Sequence, residues 1–379
     1  MKNKNKTLTI ITLVEHKKKE DQLYGYGPYI SEMNMWVSHF DKVTIVGHLS
    51  ESKDIDKIEL PYTHPNVKLI NIPAFNIKSI ASILKLLFSL PIIFMRMARA
   101  MSHSDHLHFR CPCNVSAVAA VVQIFFSSKL KTTKYAGNWD PSSNQPMGYR
   151  FQKWLLSNTF LTKNMKVLVY GEWEGQSKSV VPFISATYKE IEKTPFKQRQ
   201  FSGKLKFVFI GAMVIGKRPV LTVKIIENLI KKGISAELHM FGNGPLINEV
   251  KDYIGDTRLG ESFFVYGNQP KEKVKSCLQD AHFSILPSKS EGWPKAIAEG
   301  MFFGAIPIST KISCLPWMLD YGKRGILIKK DLNDAVDVIV NQLEQGDEFL
   351  NEMAREAMTW SQMYTLDKLK EEISQCVLK

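Results

Sequence analysis

Two carboxylates, Glu291 and Glu299, stand eight positions apart in PSKSEGWPKAIAEGMFFGAIP (residues 287–307). The first falls in a turn rich in Ser and Gly, the second in a helical run. A strand-like segment, AHFSIL (281–286), precedes the turn, and another, AIPIST (305–310), follows the helix. Strand, polar loop, helix and strand in that order make the βαβ unit of nucleotide-binding sheets. Pro294 suits the first helical position, where a missing N–H costs nothing, so the helix should begin just after Gly292 and Trp293. The unpaired N–H groups at that end face the loop and can receive an anion. Glu291 would sit beside it, and Glu299, about a turn and a half into the helix, can accept hydrogen bonds from paired sugar hydroxyls. By spacing alone a surface loop and a solvated helix read the same way; the flanking strands and glycines favour a ligand.

Other residues at strand ends carry matching chemistry. In FVFIGAMVIGKRP (207–219) a strand ends at Gly211, and Lys217 and Arg218 follow where a cation can reach phosphates at the carboxyl edge of a sheet. In FGNGP (241–245), Gly242 and Gly244 permit positive φ and a close backbone approach, to a ligand or within an ordinary turn. The first half offers a long loop, HKKKEDQLYGYG (16–27), where Gly25 and Gly27 allow a close backbone approach and Lys17, Lys18 and Lys19 can steer an acidic partner or simply be solvated. His106, His108, Cys111 and Cys113 lie within eight residues, but strand alternation and Cys-x-Cys spacing do not suit zinc; Arg110, at the strand's carboxyl end, is expected to look into a cleft. In YAGNWD (135–140), Asn138 can donate and accept to a sugar hydroxyl, Trp139 offers a ring face for stacking, and Asp140 is the nearest carboxylate or a turn residue.

These residues need a frame, and the 379-residue length suits two domains. Both halves alternate short apolar runs with helical patterns, the signature of parallel sheets covered on both faces. The polar stretch Thr187 to Lys204 is the expected linker. Boundaries of 1–195, 205–360 and a terminal amphipathic helix in 361–379, closing back on the first domain, follow. The net charge of +13 is uneven: residues 1–200 hold 27 Lys and Arg against 15 Asp and Glu, the remainder 23 against 22. The basic half should meet something acidic. Scattered lysines without an RNP or C2H2 pattern argue against nucleic acid, leaving an anionic membrane surface or a phosphate-bearing substrate. Five irregular cysteines point to a reducing compartment. The N-terminal MKNKNKTLTIITLV reads as a first strand, not a signal peptide. The longest apolar stretch, 80–97, is interrupted by Lys85, Pro91 and Arg96 and reads as a core or interfacial helix flanked by Lys78, Arg96 and Arg99, not as a membrane span.

In order, GAMVIGK, FGNGP, PSKSEGWP with its E-x7-E and the closing GAIPI resemble the retaining family 4 glycosyltransferases. The resemblance covers the whole second domain. It implies a GT-B fold, two Rossmann-like domains facing a central cleft, the C-terminal one binding a nucleotide sugar and the N-terminal one the acceptor. By that resemblance Glu299 would hold the ribose hydroxyls, Glu291 would face the donor sugar and Lys217 would neutralise the diphosphate, without a metal or other cofactor. Gly211, Arg218, Gly242, Gly244, Ser290, Gly292, Trp293, Pro294 and Lys295 would line the donor, with the N–H groups of Trp293 and Lys295 contributing where Pro294 cannot. Asn138 stands near the place where family members often carry a His touching the donor sugar. Ala212 stands where they often carry a second diphosphate cation, unless Arg218 replaces it. The expectation is a cytoplasmic, peripherally membrane-bound retaining glycosyltransferase of polysaccharide biosynthesis, taking a UDP- or GDP-linked sugar to a glycan or lipid-linked acceptor. A sugar-nucleotide epimerase of the same fold, or a non-catalytic nucleotide-sugar-binding partner in a glycan assembly complex, are the alternatives.

Overall fold

The computed structural model describes residues 6–56, 58–73, 80–257 and 259–378, the side chains of 80–87 and 378 excepted. It divides into two compact units, residues up to Phe183 with 370–379, and Ile184–Leu369.

In the first unit the opening apolar run becomes β1 (Thr7–Lys19), followed by β2 (Gln22–Tyr26), α1 (Gly27–Val37), β3 (Lys42–Leu49), β4 (Glu59–Pro61), β5 (Val67–Asn71), α2 (Ile80–Ser102), β6 (His106–Cys111), α3 (Asn114–Val122), β7 (Leu130–Tyr135), α4 (Met147–Ser157), β8 (Met165–Val169) and β9 (Val180–Pro182). Leu8, Thr9, Ile10 and Ile11 are fully buried, as in a central parallel strand covered on both faces. The parallel strands lie in the order β5, β3, β1, β6, β7, β8, β9. Winding reverses between β1 and β6, the doubly wound arrangement, whose ligands bind beyond the carboxyl ends of the strands at that reversal.

The segment expected as a long loop is instead a hairpin. β1 continues to Lys19, turns at Glu20 (φ 54°) and returns as antiparallel β2, with His16 opposite Gly25. The lysine run conceals strand alternation: Leu23 and Gly25 turn inward, Gln22 and Tyr26 outward. α2 carries Pro91 within it; Ile93, Met97 and Met101 enter the core, while Phe88, Ile92 and Met95 stay exposed. Among the described residues no helix is long and apolar enough to cross a membrane. Lys78, expected on its flank, lies outside the described residues.

The second unit runs β10 (Leu205–Ile210), α5 (Pro219–Lys231), β11 (Ala236–Phe241), α6 (Ile247–Asp256), β12 (Phe263–Gly267), α7 (Lys271–Gln279), β13 (Phe283–Leu286), α8 (Lys295–Phe302), β14 (Ile306–Thr310), α9 (Leu315–Met318), β15 (Ile326–Ile328), α10 (Leu332–Leu343) and α11 (Gly346–Gln362), then enters α12 (Leu366–Leu378). Its sheet is parallel, ordered β12, β11, β10, β13, β14, β15, with the reversal between β10 and β13. The stretch 187–204, expected as linker, belongs to this unit. Arg199 explains why: its guanidinium donates to the carbonyls of Gly304 (2.6 Å), Phe303 (2.8 Å) and Gln279 (3.2 Å). Lysine-rich composition hid this docking, because one side chain satisfying three orphan carbonyls leaves no pattern in sequence. Residues 370–379 belong to the first unit, while the first four residues of α12 remain with the second.

Candidate functional site

The loops leaving β10 and β13 emerge side by side at the reversal of the second sheet, and the backbone ties them together: the Lys289 N–H donates to the Gly216 carbonyl (2.8 Å). On that frame Lys217 Nζ lies 2.5 Å from Glu291 Oε1. The Glu291 side chain is 6% exposed and that of Lys217 28%, so the carboxylate is enclosed and the ammonium reaches solvent. The Glu291 N–H donates to Ser313 Oγ (3.2 Å), which fixes the loop from β14's side. Ser313, with φ 51°, was not anticipated; a left-handed serine gives no distinctive sequence signal. A cation and a carboxylate are thus held together at the edge where an open α/β sheet receives phosphates.

Glu299 lies on α8 in a narrow recess with Thr187, Tyr188, Ser361 and Tyr364. Its Oε1 accepts a hydrogen bond from Thr187 Oγ1 (2.8 Å). Burial raises its carboxyl above the ordinary range, against the opposing effects of the Thr187 hydroxyl, Lys295 and Lys271. Thr187 was missed because it stands in the expected linker. α8 begins at Lys295, one residue later than expected, with Pro294 as its N-cap and no side-chain cap. The Lys295 N–H, expected to serve an anion, donates to the Trp293 carbonyl (2.9 Å). Trp293 is buried among Trp317, Trp360 and Tyr364. Its ring anchors the loop; Ser290 is exposed and Gly292 half-buried.

Gly242 (φ 124°) and Gly244 (φ 155°) are required by the protein's own backbone. A Cβ on Gly242 would fall 2.0 Å from the Gly211 carbonyl oxygen, and one on Gly244 2.6 Å from that of Met213. The two turns are laced by Gly211 N–H to Phe241 O and Met213 N–H to Asn243 O, both 3.0 Å. Arg218 caps α5 in a left-handed conformation (φ 54°), and its Nη1 lies 3.4 Å from the Lys330 carbonyl oxygen, so it is engaged elsewhere than the place Ala212 leaves open.

The first unit departs further from expectation. Arg110, expected to look into a cleft, donates to Glu32 Oε1 (2.7 Å), while Lys134 Nζ lies 2.9 Å from Glu32 Oε2. Lys134 is fully buried and its amine is pushed down to about 8 by that burial, against the pull of Glu32. Glu32 sits on the face of α1 that Tyr29, Met33 and Trp36 line, so helical periodicity held the signal. Trp139 is 2% exposed, edge-on to Tyr135 with Lys153 Nζ 5.3 Å from its ring centre; it offers no face for sugar. Asp140 closes its own turn, accepting from Ser142 N (2.8 Å), and Asn138 Oδ1 accepts from Asp140 N (2.9 Å). Gly25 sits in the hairpin and Gly27 admits the Ile58 carbonyl, which accepts its N–H (2.9 Å). Lys17 is paired with Glu59 (3.0 Å) and Asp56 (3.2 Å). His106 and His108 both turn to Thr132 Oγ1 (2.9 Å each), away from the two cysteines. Among the described residues no group of three or more His, Cys, Asp or Glu is placed to hold a metal.

Comparison with known proteins meets the same second unit. Residues 190–360 match the family model of glycosyl transferases group 1. The putative colanic acid biosynthesis glycosyltransferase WcaL of Salmonella typhimurium is 26% identical over 175 residues, 43% of each chain. The amylovoran biosynthesis glycosyltransferase AmsK of Erwinia amylovora is 26% identical over 149 residues, 38% of this chain and 37% of that one. These matches span less than half the length of either relative. Two solved structures share the fold over nearly the whole chain: HepE of Anabaena in complex with UDP (TM-score 0.69, 11% identity, 98% and 99% covered) and sucrose-phosphate synthase of Thermosynechococcus elongatus (0.64, 13%, 98% and 98%). The chain has the GT-B type of architecture, two doubly wound Rossmann-like units, and its second unit carries the group 1 glycosyl transferase domain.

Proposed function

We propose that this chain is a retaining glycosyltransferase that moves a sugar from a UDP- or GDP-linked donor to a glycan or lipid-linked acceptor in the assembly of cell-surface polysaccharide. The observation that carries this reading is the Lys217–Glu291 pair at the winding reversal of a group 1 glycosyl transferase domain. In such a transfer the bond from the sugar's anomeric carbon to the diphosphate oxygen breaks, the acceptor oxygen bonds that carbon, and the acceptor's proton passes to the departing diphosphate. Charge grows on the departing diphosphate, and a fixed cation there stabilises it in the transition state more than in the ground state. Lys217 supplies that cation. Glu291 holds the ammonium in place and faces the sugar, Glu299 receives the ribose hydroxyls, and no metal is needed. The relatives are named for colanic acid and amylovoran biosynthesis, and solved neighbours contain UDP, which supports donor class and setting.

The acceptor side is proposed to work at the inner face of a membrane. α2 exposes Phe88, Ile92 and Met95 and carries Arg96 and Arg99, a combination of apolar and basic groups that favours an anionic surface. A thermal-shift screen of UDP- and GDP-sugars identifies the donor, since a ligand that binds only the native state stabilises it. Release of nucleoside diphosphate with label in an acceptor glycan is the expected result. Binding without release would make the chain a non-catalytic partner; isomerised sugar would make it an epimerase; no binding by any donor would overturn the reading.

A further inference from the structure

A cavity of about 590 Å³ opens at the opposite edge of the first sheet from the one where nucleotide-type ligands sit, beneath the amino ends of β6, β7 and β8. Lys131, Lys163, Lys166 and Lys178 line it. Among the described residues none of the four forms an ion pair with a carboxylate. Lys131 is 2% exposed and is held by neutral groups, donating to Gln123 Oε1 (2.8 Å) and lying 3.4 Å from the Gln123 carbonyl. An ammonium kept out of water without a counter-charge is costly to the fold unless something anionic compensates it. Burial does push this amine down, to about 8.

His106 is buried and lines the cavity, and its Nδ1 has no partner in the protein. Its other nitrogen meets Thr132 Oγ1 at 2.9 Å, a hydroxyl that also meets His108 Nδ1, so the imidazole backs the cavity wall. Glu372, on α12 near Cys376 at the cavity wall, is an acidic side chain close by, and the lysines outnumber it.

We propose that this cavity is a second binding site, for a phosphate-bearing anion of sugar-phosphate or nucleotide size, separate from Lys217 and Glu291. Lys163, Lys166 and Lys178 at the cavity wall, with Lys131 buried behind them, gather positive charge around one guest, which is what a doubly or triply charged phosphate ester requires. The site does not depend on the transfer reaction and stands or falls apart from it.

The test is calorimetric titration of the full chain with inorganic pyrophosphate at low salt, in a Lys217→Ala background so that the candidate donor site does not contribute. Saturable binding is expected, weakened at least about tenfold by K166E with K178E, whose side chains reach solvent and leave the core untouched. The milder K166Q with K178Q should fall between, and melting curves check that both fold. Absence of saturable binding in the Lys217→Ala background, or unchanged affinity after charge reversal, overturns the proposal. Sedimentation with phosphatidylglycerol vesicles separates the sources. Loss of vesicle binding on charge reversal assigns the phosphate to a lipid headgroup; unchanged vesicle binding alongside weakened pyrophosphate binding assigns it to a soluble ligand.

Discussion

Replacing Lys217 with Met tests the site most directly, because the structure gives the substitution two separable consequences. The first is on stability. Lys217 Nζ and Glu291 Oε1 are 2.5 Å apart, and the carboxylate is nearly enclosed. A hydrogen bond between charged partners stabilises by about 1.5–3 kcal/mol, and the partial exposure of the lysine holds this pair to the lower end, about 1.5 kcal/mol. The second is on turnover. A fixed donor aimed at developing charge contributes roughly 10²- to 10³-fold to kcat, so Lys217→Met should lose about that much nucleoside diphosphate release at saturating donor. Glu291→Gln keeps the shape but frees the ammonium, and the double variant should cost less stability than the two single changes summed, with coupling near 1 kcal/mol. Urea unfolding of the second unit, followed by Trp fluorescence, reads the coupling; diphosphate release reads the chemistry. Coupling with turnover within about twofold of the wild type would make the pair structural and refute the assignment. No coupling and no loss of turnover would remove the pair from the site altogether.

Three further outcomes are expected. Glu299→Gln should raise the melting temperature of the unliganded protein at neutral pH while weakening donor binding: burial raises this carboxyl, so its stability contribution is present below the unfolded value and lost as pH rises through the folded one, and the gain should vanish in acid. Gly242→Ala should destabilise the second unit by at least about 2 kcal/mol in urea unfolding, because a Cβ at φ 124° meets the Gly211 carbonyl oxygen at 2.0 Å. Lys134→Met should flatten the pH dependence of stability between about 8 and 10.5: the buried amine is pushed down to about 8, so wild-type stability is held above the unfolded value and falls by about 3 kcal/mol as pH drops through the folded one; equal slopes in the two proteins would sink that account.

Much of the second unit was legible in sequence because its chemistry is local. The strand, loop and helix around Glu291 and Glu299 are contiguous, parallel strands buried on both faces leave unbroken apolar runs such as FVFI, and Pro294 marks a helix start to within one residue. The first unit was less legible, since its polar groups are committed to partners far along the chain. Arg110 finds Glu32 78 residues away, and the Lys17 to Lys19 run hides the alternation of a hairpin. Trp139 shows the same limit: an aromatic residue at a strand end has one composition whether its ring faces a sugar or the core, and burial alone chose the core.

By itself the sequence determined the two parallel-sheet units and the candidate residues Lys217, Glu291 and Glu299, because periodicity and turn chemistry act over a few residues. Tertiary structure decided which of those residues meet. The order of strands at the β10–β13 reversal sets Lys217 against Glu291 across 74 positions, and Thr187 meets Glu299 from what had read as a linker. Pairings of that kind depend on how strands are ordered in the sheet, and strand order leaves no local trace in the chain.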